Sequence, residues 1–353
     1  MHLGMPELLE FYRAHRQEPA LVLATITATE GSTYRKTGAM LLASADGGFA
    51  GLISGGCLEG DLMHHVRRVF ETGEALTVDY DMSAGDDLVW NLGLGCDGVI
   101  HLLLQRLERN AGLAVLEQID RAHRERKAVL LAVVSDPAAA PRGALGLVDA
   151  GGATAGDSIL SGLLERHAKP WPDWRTRVVK SGPGVGPALL VHVPAPTRVL
   201  ICGAGPDALP LARILDELGW ELVVADHRAE FARPDRFPRR CEVVHTRPRA
   251  LAEQVPVEQF DAALIMSHHL ENDAEYLRRL AQSPPRYIGL LGPAARKERL
   301  REMADCPSLS LHGPAGLDIG SELPASIALS IAAEMHAVLN GRDGRSLEVM
   351  NDV

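Results

Sequence analysis

The carboxyl-terminal part of the chain alternates between apolar strand patterns and amphipathic helix patterns, and this alternation constrains the fold more than any other feature. Strand patterns occur at residues 198–202, 221–225, 242–245, 261–266 and 286–290, with helical patterns near 207–218, 249–254 and 271–281. Strands that alternate with helices are typical of a parallel sheet covered by helices on both faces. This part is therefore predicted to be a doubly wound parallel α/β domain.

The residues before this alternation follow a different pattern, which is richer in strands and turns. Strand patterns occur at residues 20–27, 39–43, 49–53, 99–104 and 188–193, with helical patterns at 7–16 and up to about 71. Pro194 and Pro196 separate the two patterns, because proline continues neither a sheet nor a helix. We therefore expect a mixed α/β domain rich in strands over residues 1–193 and the doubly wound domain over 197–353.

Two stretches of the first domain resemble two later stretches of the same domain. ALVLA at 20–24 is similar to AVLLA at 128–132, and GAMLLASADG at 38–47 is similar to GALGLVDAGG at 143–152. The likeness indicates either an ancient duplication or a chance similarity of two strand–turn–strand units. The second copy reads ILSGLL where the first copy has SGGCLE, so after a duplication only the first would retain a site.

Composition excludes several classes of protein. A net charge of −10 and an aromatic content of 4% disfavour nucleic acid as a partner. The longest apolar run, residues 128–134, is far shorter than the roughly 18 residues of a membrane span, and no secretory signal is recognisable, so we expect a cytoplasmic protein without a membrane span. The five cysteines include no C-x-x-C pair, which favours free thiols over a disulfide framework or a four-cysteine zinc site.

The doubly wound domain carries a glycine turn that follows a strand and opens a helix. Residues 203–208 read GAGPDA, and Asp226 ends the next strand, which matches a Rossmann dinucleotide fingerprint in its alanine form. Gly203 and Gly205 would admit a pyrophosphate to the helix N-terminus, and Asp226 would bind ribose hydroxyls. The alternative is a turn that serves only strand–helix packing. His268 is a further candidate, because it follows a strand at the carboxyl edge of the sheet, although a surface histidine is the plainer explanation.

A second glycine-rich loop, SGGCLE at residues 54–59, lies between a strand and a helix in the first domain. Gly55 and Gly56 would let backbone N–H groups approach a ligand. Cys57 precedes a helix N-terminus, where the helix dipole favours a thiolate, although a thiol packed as a small apolar residue is an equal alternative. Glu59 is harder to explain by packing, because carboxylates are seldom buried without a partner.

Two neighbouring polar stretches add three candidates to this site. Ser32 and Arg35 lie in the loop at residues 30–38, where Arg35 would attract an anion or would simply be solvated. Cys96 lies in GLGCDG at residues 93–98, a third glycine-rich segment, which precedes a strand.

These stretches resemble the XdhC/CoxI family, the xanthine dehydrogenase accessory proteins, over most of the chain. The specific segments are residues 31–40 with 54–59, residues 93–98, and residues 312–320 leading into 327–334. The resemblance implies a non-enzymatic chaperone that binds the molybdenum cofactor, protects it while its terminal sulfur is installed, and delivers it to an apo molybdenum hydroxylase. It also implies a cysteine desulfurase as a partner and a homodimer.

Three functions therefore remain open at this point. The cofactor chaperone would hold a pterin phosphate at the glycine loops, and we expect Cys57, Glu59 and Cys96 to face the second domain's glycine turn across the cofactor. An NAD(P)-dependent oxidoreductase is the main alternative and rests on the Rossmann turn and Asp226 alone. A metal-binding scaffold would need Cys57, Cys96 and His268, which are scattered over two domains.

Overall fold

The computed structural model divides into two compact units, Met1–Ala195 and Pro196–Val353. The division falls within the Pro194-Ala195-Pro196 segment. The structure describes residues 4–82, 98–109, 112–134, 143–169, 171, 175–180 and 186–348. Cys96 lies outside the described residues. No helix in these ranges is long and apolar enough to cross a membrane.

The first unit contains two five-stranded antiparallel sheets, each with its own helices. Repeat 1 comprises α1 Met5–His15, β1 Ala20–Glu30, β2 Met40–Ala43, β3 Phe49–Gly51, α2 Glu59–Thr72, β4 Leu76–Asp81 and β5 Val99–Glu108. Repeat 2 comprises α3 Gly112–Arg124, β6 Val129–Val134, β7 Leu145–Asp149, β8 Thr154–Gly156, α4 Ser161–Ala168, β9 Thr176–Val179 and β10 Ala188–Val193.

The two repeats have the same topology. Their strand orders are β3-β2-β1-β5-β4 and β8-β7-β6-β10-β9. Three glycines with positive φ in repeat 1 have counterparts 105 residues later in repeat 2: Gly38, Gly47 and Gly51 match Gly143, Gly152 and Gly156. A chance similarity of two hairpins does not explain a shared order of five strands, and we interpret the first unit as an internal duplication.

The contacts between the repeats are reciprocal. Gly38 of repeat 1 packs against Thr176 of repeat 2, and its counterpart Gly143 packs against Ala75 of repeat 1. In the strand registers, Thr176 and Ala75 hold equivalent places. The repeats are therefore related by an approximate two-fold axis, and they share one core that includes α1 and α3. Helix α2 covers the outer face of the first sheet and α4 that of the second.

The second unit is built on one parallel sheet of order β13-β12-β11-β14-β15, which confirms the predicted Rossmann-like domain. Its elements are β11 Arg198–Cys202, α5 Ala208–Glu217, β12 Glu221–Asp226, β13 Glu242–His245, α6 Leu251–Gln254, β14 Ala262–Ile265, α7 Leu270–Gln282, β15 Tyr287–Leu290, α8 Ala294–Ala304 and α9 Pro324–Leu339. Helices α5 and α9 cover one face of the sheet, and α7 and α8 cover the other. All carboxyl ends of the strands thus meet at one edge.

Candidate functional site

The loop between β3 and α2, residues 52–58, is held by a buried polar network. The Glu59 carboxylate is only 5% exposed and accepts hydrogen bonds from the N–H groups of Ile53 (3.3 Å) and Ser54 (3.0 Å) and from the Ser54 hydroxyl. The Ser54 oxygen in turn accepts from the N–H groups of Gly56 and Leu58, both at 3.1 Å. Glu59 therefore organises the loop from inside. Its predicted contact with a ligand stays a prediction.

This network leaves the middle of the loop at the surface. Gly55 and Gly56 are exposed, and Gly56 has a φ of +105° with open space where a Cβ would stand. Glycine is thus required at position 56 by the backbone conformation and not by packing. Cys57 carries a half-buried free thiol and lies two residues before α2. Its side chain packs against the core beneath α2.

The loop between β1 and β2 lies against this exposed segment. A Cβ at Gly55 would be 3.9 Å from the ring of Tyr34, which is 63% exposed. The buried Thr33 hydroxyl donates to the carbonyl oxygen of Arg35 at 2.8 Å, which fixes the turn that carries this half-buried arginine. Ser32 is exposed in the same turn. The candidates from the two loops are therefore neighbours.

The start of β5 packs beneath the same turn. A Cβ at Gly98 would lie only 2.6 Å from the carbonyl oxygens of Glu30 and Ser32, so glycine is required there. The N–H of Met82 donates to the Gly98 carbonyl at 3.0 Å. The two loops therefore meet Gly98, the one described residue of the third stretch, at one edge of the first sheet. Tyr34 was missed as a candidate, although an exposed aromatic side chain in a chain with few aromatics was a usable signal.

In the second unit the two glycines of the turn have different roles. A Cβ at Gly203, where φ is +120°, would lie 2.6 Å from the backbone of Met266, so this glycine lets β11 pass close to the end of β14. At Gly205 a Cβ would meet nothing within 4 Å. Packing therefore explains Gly203, whereas at the buried Gly205 the space beside the backbone is unfilled.

Asp226 is fully buried and its carboxylate is already engaged. It accepts hydrogen bonds from the N–H of Ala204 (2.7 Å) and from the N–H (2.9 Å), Nε (3.0 Å) and Nη2 (2.8 Å) of Arg228. Burial opposes ionisation, but the hydrogen bonds from Arg228 and Ala204 outweigh it and lower the pKa of Asp226. This geometry commits Asp226 to the turn and to Arg228 and not to an approaching ribose.

His268 lies at the same edge with a left-handed backbone. Its φ is +60°, which is uncommon for a residue other than glycine, and its imidazole Nε2 is 3.2 Å from Oδ2 of Asp207, the residue before α5. The neighbouring His269 instead caps α7 by accepting from the N–H of Asn272 at 3.4 Å. The two histidines therefore serve different partners, and His268 is the one beside the glycine turn.

Comparison with known proteins identifies the family. A family model described as the XdhC and CoxI family matches residues 14–81, and one described as the XdhC Rossmann domain matches 199–335. A protein of Bacillus subtilis, named as a probable subunit of xanthine dehydrogenase, is 32% identical over 331 residues, which cover 90% of this chain and 93% of the relative. The chain belongs to the XdhC and CoxI family.

Two further proteins extend the comparison. A solved structure from Bacillus halodurans, described as a xanthine dehydrogenase, is 30% identical with a TM-score of 0.80 and covers 97% of each chain, so both units of the XdhC fold are shared. The uncharacterized protein YqeB of Escherichia coli is 32% identical over 161 residues, which are 44% of this chain and 29% of that protein.

The segment at residues 312–320, which the resemblance to the XdhC family marked as distinctive, is anchored to α9 by a carboxylate. Glu334 accepts hydrogen bonds from the Tyr287 hydroxyl (2.6 Å) and the Gly316 N–H (2.7 Å) and pairs with His312 Nδ1 at 3.1 Å. Burial opposes its ionisation, but the bonds from His312, Tyr287 and Gly316 prevail and lower the pKa of Glu334. The sequence does not reveal these roles, because the contacts join segments far apart along the chain.

Proposed function

We propose that this protein is an accessory protein of the XdhC type that binds the molybdenum cofactor, protects it and delivers it to an apo molybdenum hydroxylase. The observation that carries the proposal is the likeness to a xanthine dehydrogenase subunit over nine tenths of the chain. A protein similar to a probable subunit of such an enzyme is suited to handling the cofactor of the enzyme.

The loops of repeat 1 have the chemistry that this cargo needs. A pterin phosphate carries negative charge, and exposed glycine backbone before the 14-residue helix α2, with Arg35 nearby, suits an anion. Cys57 offers a thiol at the same place, suited to the metal or to its exchangeable sulfur. The same loops would then present the cofactor to a cysteine desulfurase and to the recipient enzyme.

A dinucleotide oxidoreductase is the weaker candidate. Its ribose contact would depend on Asp226, which is fully buried and already accepts four hydrogen bonds. It would also leave the loops of repeat 1 without a role.

The direct test is cofactor loading followed by transfer. The purified protein is mixed with molybdenum cofactor released from a molybdoenzyme, desalted, and assayed for retained molybdenum and pterin, with NADH loaded in parallel. We expect retention of about one cofactor per site and recovery of activity when a cofactor-free hydroxylase is added. Loss of all cofactor on desalting, or equal recovery of the hydroxylase with free cofactor alone, would contradict the proposal.

A further inference from the structure

The connection between β12 and β13 concentrates positive charge in a chain whose net charge is −10. Residues 227–241 contain five arginines and two acidic residues, which is a formal excess of three positive charges. The segment contains no α-helix, only a 3-10 turn at Pro234–Arg236. Arg233 and Arg240 pair with Asp235 and Asp216, so the charges that an anionic ligand could use are those of Arg228, Arg236 and Arg239.

Hydrogen bonds connect two of these arginines to the glycine turn, one directly and one through Asp226. Arg236 Nη1 donates to the carbonyl oxygen of Ala204 at 2.9 Å. Arg228 Nη2 donates at 2.8 Å to Asp226 Oδ2, which accepts the Ala204 N–H at 2.7 Å. Arg236 is therefore held directly by Ala204, the residue between Gly203 and Gly205, and Arg228 is held by Asp226, which also binds Ala204.

An aromatic ring holds both arginines in place. The Cζ atoms of Arg228 and Arg236 lie 4.1 Å and 5.0 Å from the centre of the Phe231 ring, and Arg236 also donates to the Phe231 carbonyl at 2.8 Å. Their side chains are thus ordered before any ligand arrives, which lowers the entropy cost of binding.

The charged side chains at the turn are two arginines, Arg228 and Arg236, and two carboxylates, Asp226 and Asp207, of which Asp207 lies beside His268. Arg228 neutralises the buried Asp226, but Arg236 forms no ion pair with any carboxylate among the residues that the structure describes. The half-buried Arg236 guanidinium therefore lies next to Gly205, which is buried but has no atom within 4 Å of the place of a Cβ. Guanidinium groups bind phosphate oxygens in a bidentate manner.

We propose that the second unit binds a phosphate monoester at the Gly203–Gly205 turn, with Arg236 and the outer edge of Arg228 as its cationic ligands. In Rossmann domains a free carboxylate at the end of the second strand recognises ribose hydroxyls, whereas an arginine there accommodates a ribose 2′-phosphate. Here the Asp226 carboxylate is already bonded to Arg228, and the arginines are the groups that a ligand would meet. The site therefore prefers a phosphate to a ribose hydroxyl, and either a 2′-phosphorylated dinucleotide or a pterin phosphate would supply that phosphate.

Calorimetric titration of the full-length protein tests the proposal, with adenosine 2′-phosphate, adenosine, NADP⁺, NAD⁺ and released molybdenum cofactor as probes. We expect adenosine 2′-phosphate to bind at least tenfold more tightly than adenosine. NADP⁺ binding tenfold more tightly than NAD⁺ would identify a dinucleotide as the source of the phosphate. Displacement of adenosine 2′-phosphate by released cofactor would identify the pterin.

Matched variants test whether Arg236 binds the phosphate. Arg236→Gln should lose about tenfold in affinity for adenosine 2′-phosphate, Arg236→Lys should lose less, and Arg239→Gln, an exposed charge on the same segment, should stay within twofold. Equal binding of adenosine and its 2′-phosphate by the unaltered protein, or an equal loss in Arg239→Gln, would overturn the proposal. Cofactor retention by Cys57→Ala tests the loops of repeat 1, and binding of adenosine 2′-phosphate by Arg236→Gln tests the turn, so either proposal can fail alone.

Discussion

The two repeats of the first unit share their topology and differ where the candidate site lies. In repeat 1, residues 52–58 separate β3 from α2, whereas in repeat 2 only Asp157 separates β8 from the 3-10 turn at Ser158–Leu160. Repeat 2 fills the corresponding place with buried leucines that pack on its sheet. The fold is therefore complete without the loop. What repeat 1 adds is a polar network that holds exposed glycines and a thiol, and the family model of residues 14–81 covers this repeat alone.

The largest effect that we expect concerns the glycine common to both repeats at the end of the third strand. Gly51 and Gly156 both have a φ of +91°, and a Cβ at either would overlap a backbone carbonyl oxygen of the neighbouring strand. Alanine at either position should destabilise the first unit by about 3 kcal/mol or more and lower its melting temperature by roughly 6–12 °C. Scanning calorimetry of the full-length protein measures both.

The matched controls are the hairpin glycines of the two repeats. Gly47 and Gly152 have φ values of +92° and +89°, but a Cβ at either would meet no atom within 4 Å. Alanine there should cost only about 1–2 kcal/mol for the left-handed backbone. Equal losses of stability in all four alanine variants would show that the close contact of Gly51 and Gly156 with the neighbouring strand does not stabilise the repeats.

We expect a smaller difference in stability between variants of two carboxylates, Glu59 in repeat 1 and Asp157 in repeat 2. Glu59→Gln replaces a buried acceptor of three hydrogen bonds and should destabilise α2 by about 2 kcal/mol. Asp157→Asn is the control, because this exposed carboxylate accepts one backbone hydrogen bond, from Leu145 at 2.8 Å, and its replacement should cost about 0.5 kcal/mol. Hydrogen exchange in peptides of α2 and α4 measures the two changes. Similar losses in both helices would refute the special role of Glu59.

The smallest effect is a pH dependence confined to repeat 1. A hydrogen bond to Asp79 Oδ1 at 2.8 Å, with Glu30 at 3.5 Å, raises the pKa of His101 in β5. Since the folded pKa is raised, the stabilisation is complete below the ordinary histidine pKa of about 6.5 and is lost as the pH rises through the folded value. In repeat 2, Pro187 stands at the position of His101 and Lys180 at the position of Asp79.

We therefore expect the β4–β5 pairing to weaken by about 0.5 kcal/mol as the pH rises from below the ordinary histidine pKa through the raised pKa of His101, while β9–β10 does not change. Hydrogen exchange corrected for the intrinsic rate measures both pairs. His101→Gln should remove the dependence. A dependence that survives in this variant would point to another titrating group.

Much of the architecture could be predicted because strong local signals define it. The strands at 188–193 and 198–202 were predicted with their observed bounds, since uninterrupted apolar runs flank two prolines. Strands β4 and β9 were missed. The edge strand β9, TRVV, is short and carries little alternation, whereas β4, LTVDYD, alternates apolar and polar side chains, and this was a usable signal. The duplication was visible in the first hairpin of each repeat, where the glycines required by the turns are retained.

The sequence indicated where the candidate residues lie relative to strands and helices, but it did not show what each side chain contacts. The place of Cys57 just before a helix follows from local pattern and is observed. The partners of Glu59 are mostly backbone N–H groups, which a sequence does not display. The Rossmann fingerprint suggested a ribose contact for Asp226, but Arg228, two residues later, occupies its carboxylate.

The most direct test of the account is cofactor retention by Cys57→Ala, compared with Cys306→Ala, which removes another half-buried free thiol in the second unit. Each full-length variant is loaded with released molybdenum cofactor, desalted and assayed for bound pterin, with its melting temperature recorded. The account predicts that Cys57→Ala stays folded and loses about tenfold in retention, roughly 1.4 kcal/mol, whereas Cys306→Ala retains the cofactor. Unchanged retention in Cys57→Ala, with only a small loss of thermal stability, would show that the thiol is a packing residue and would contradict the account.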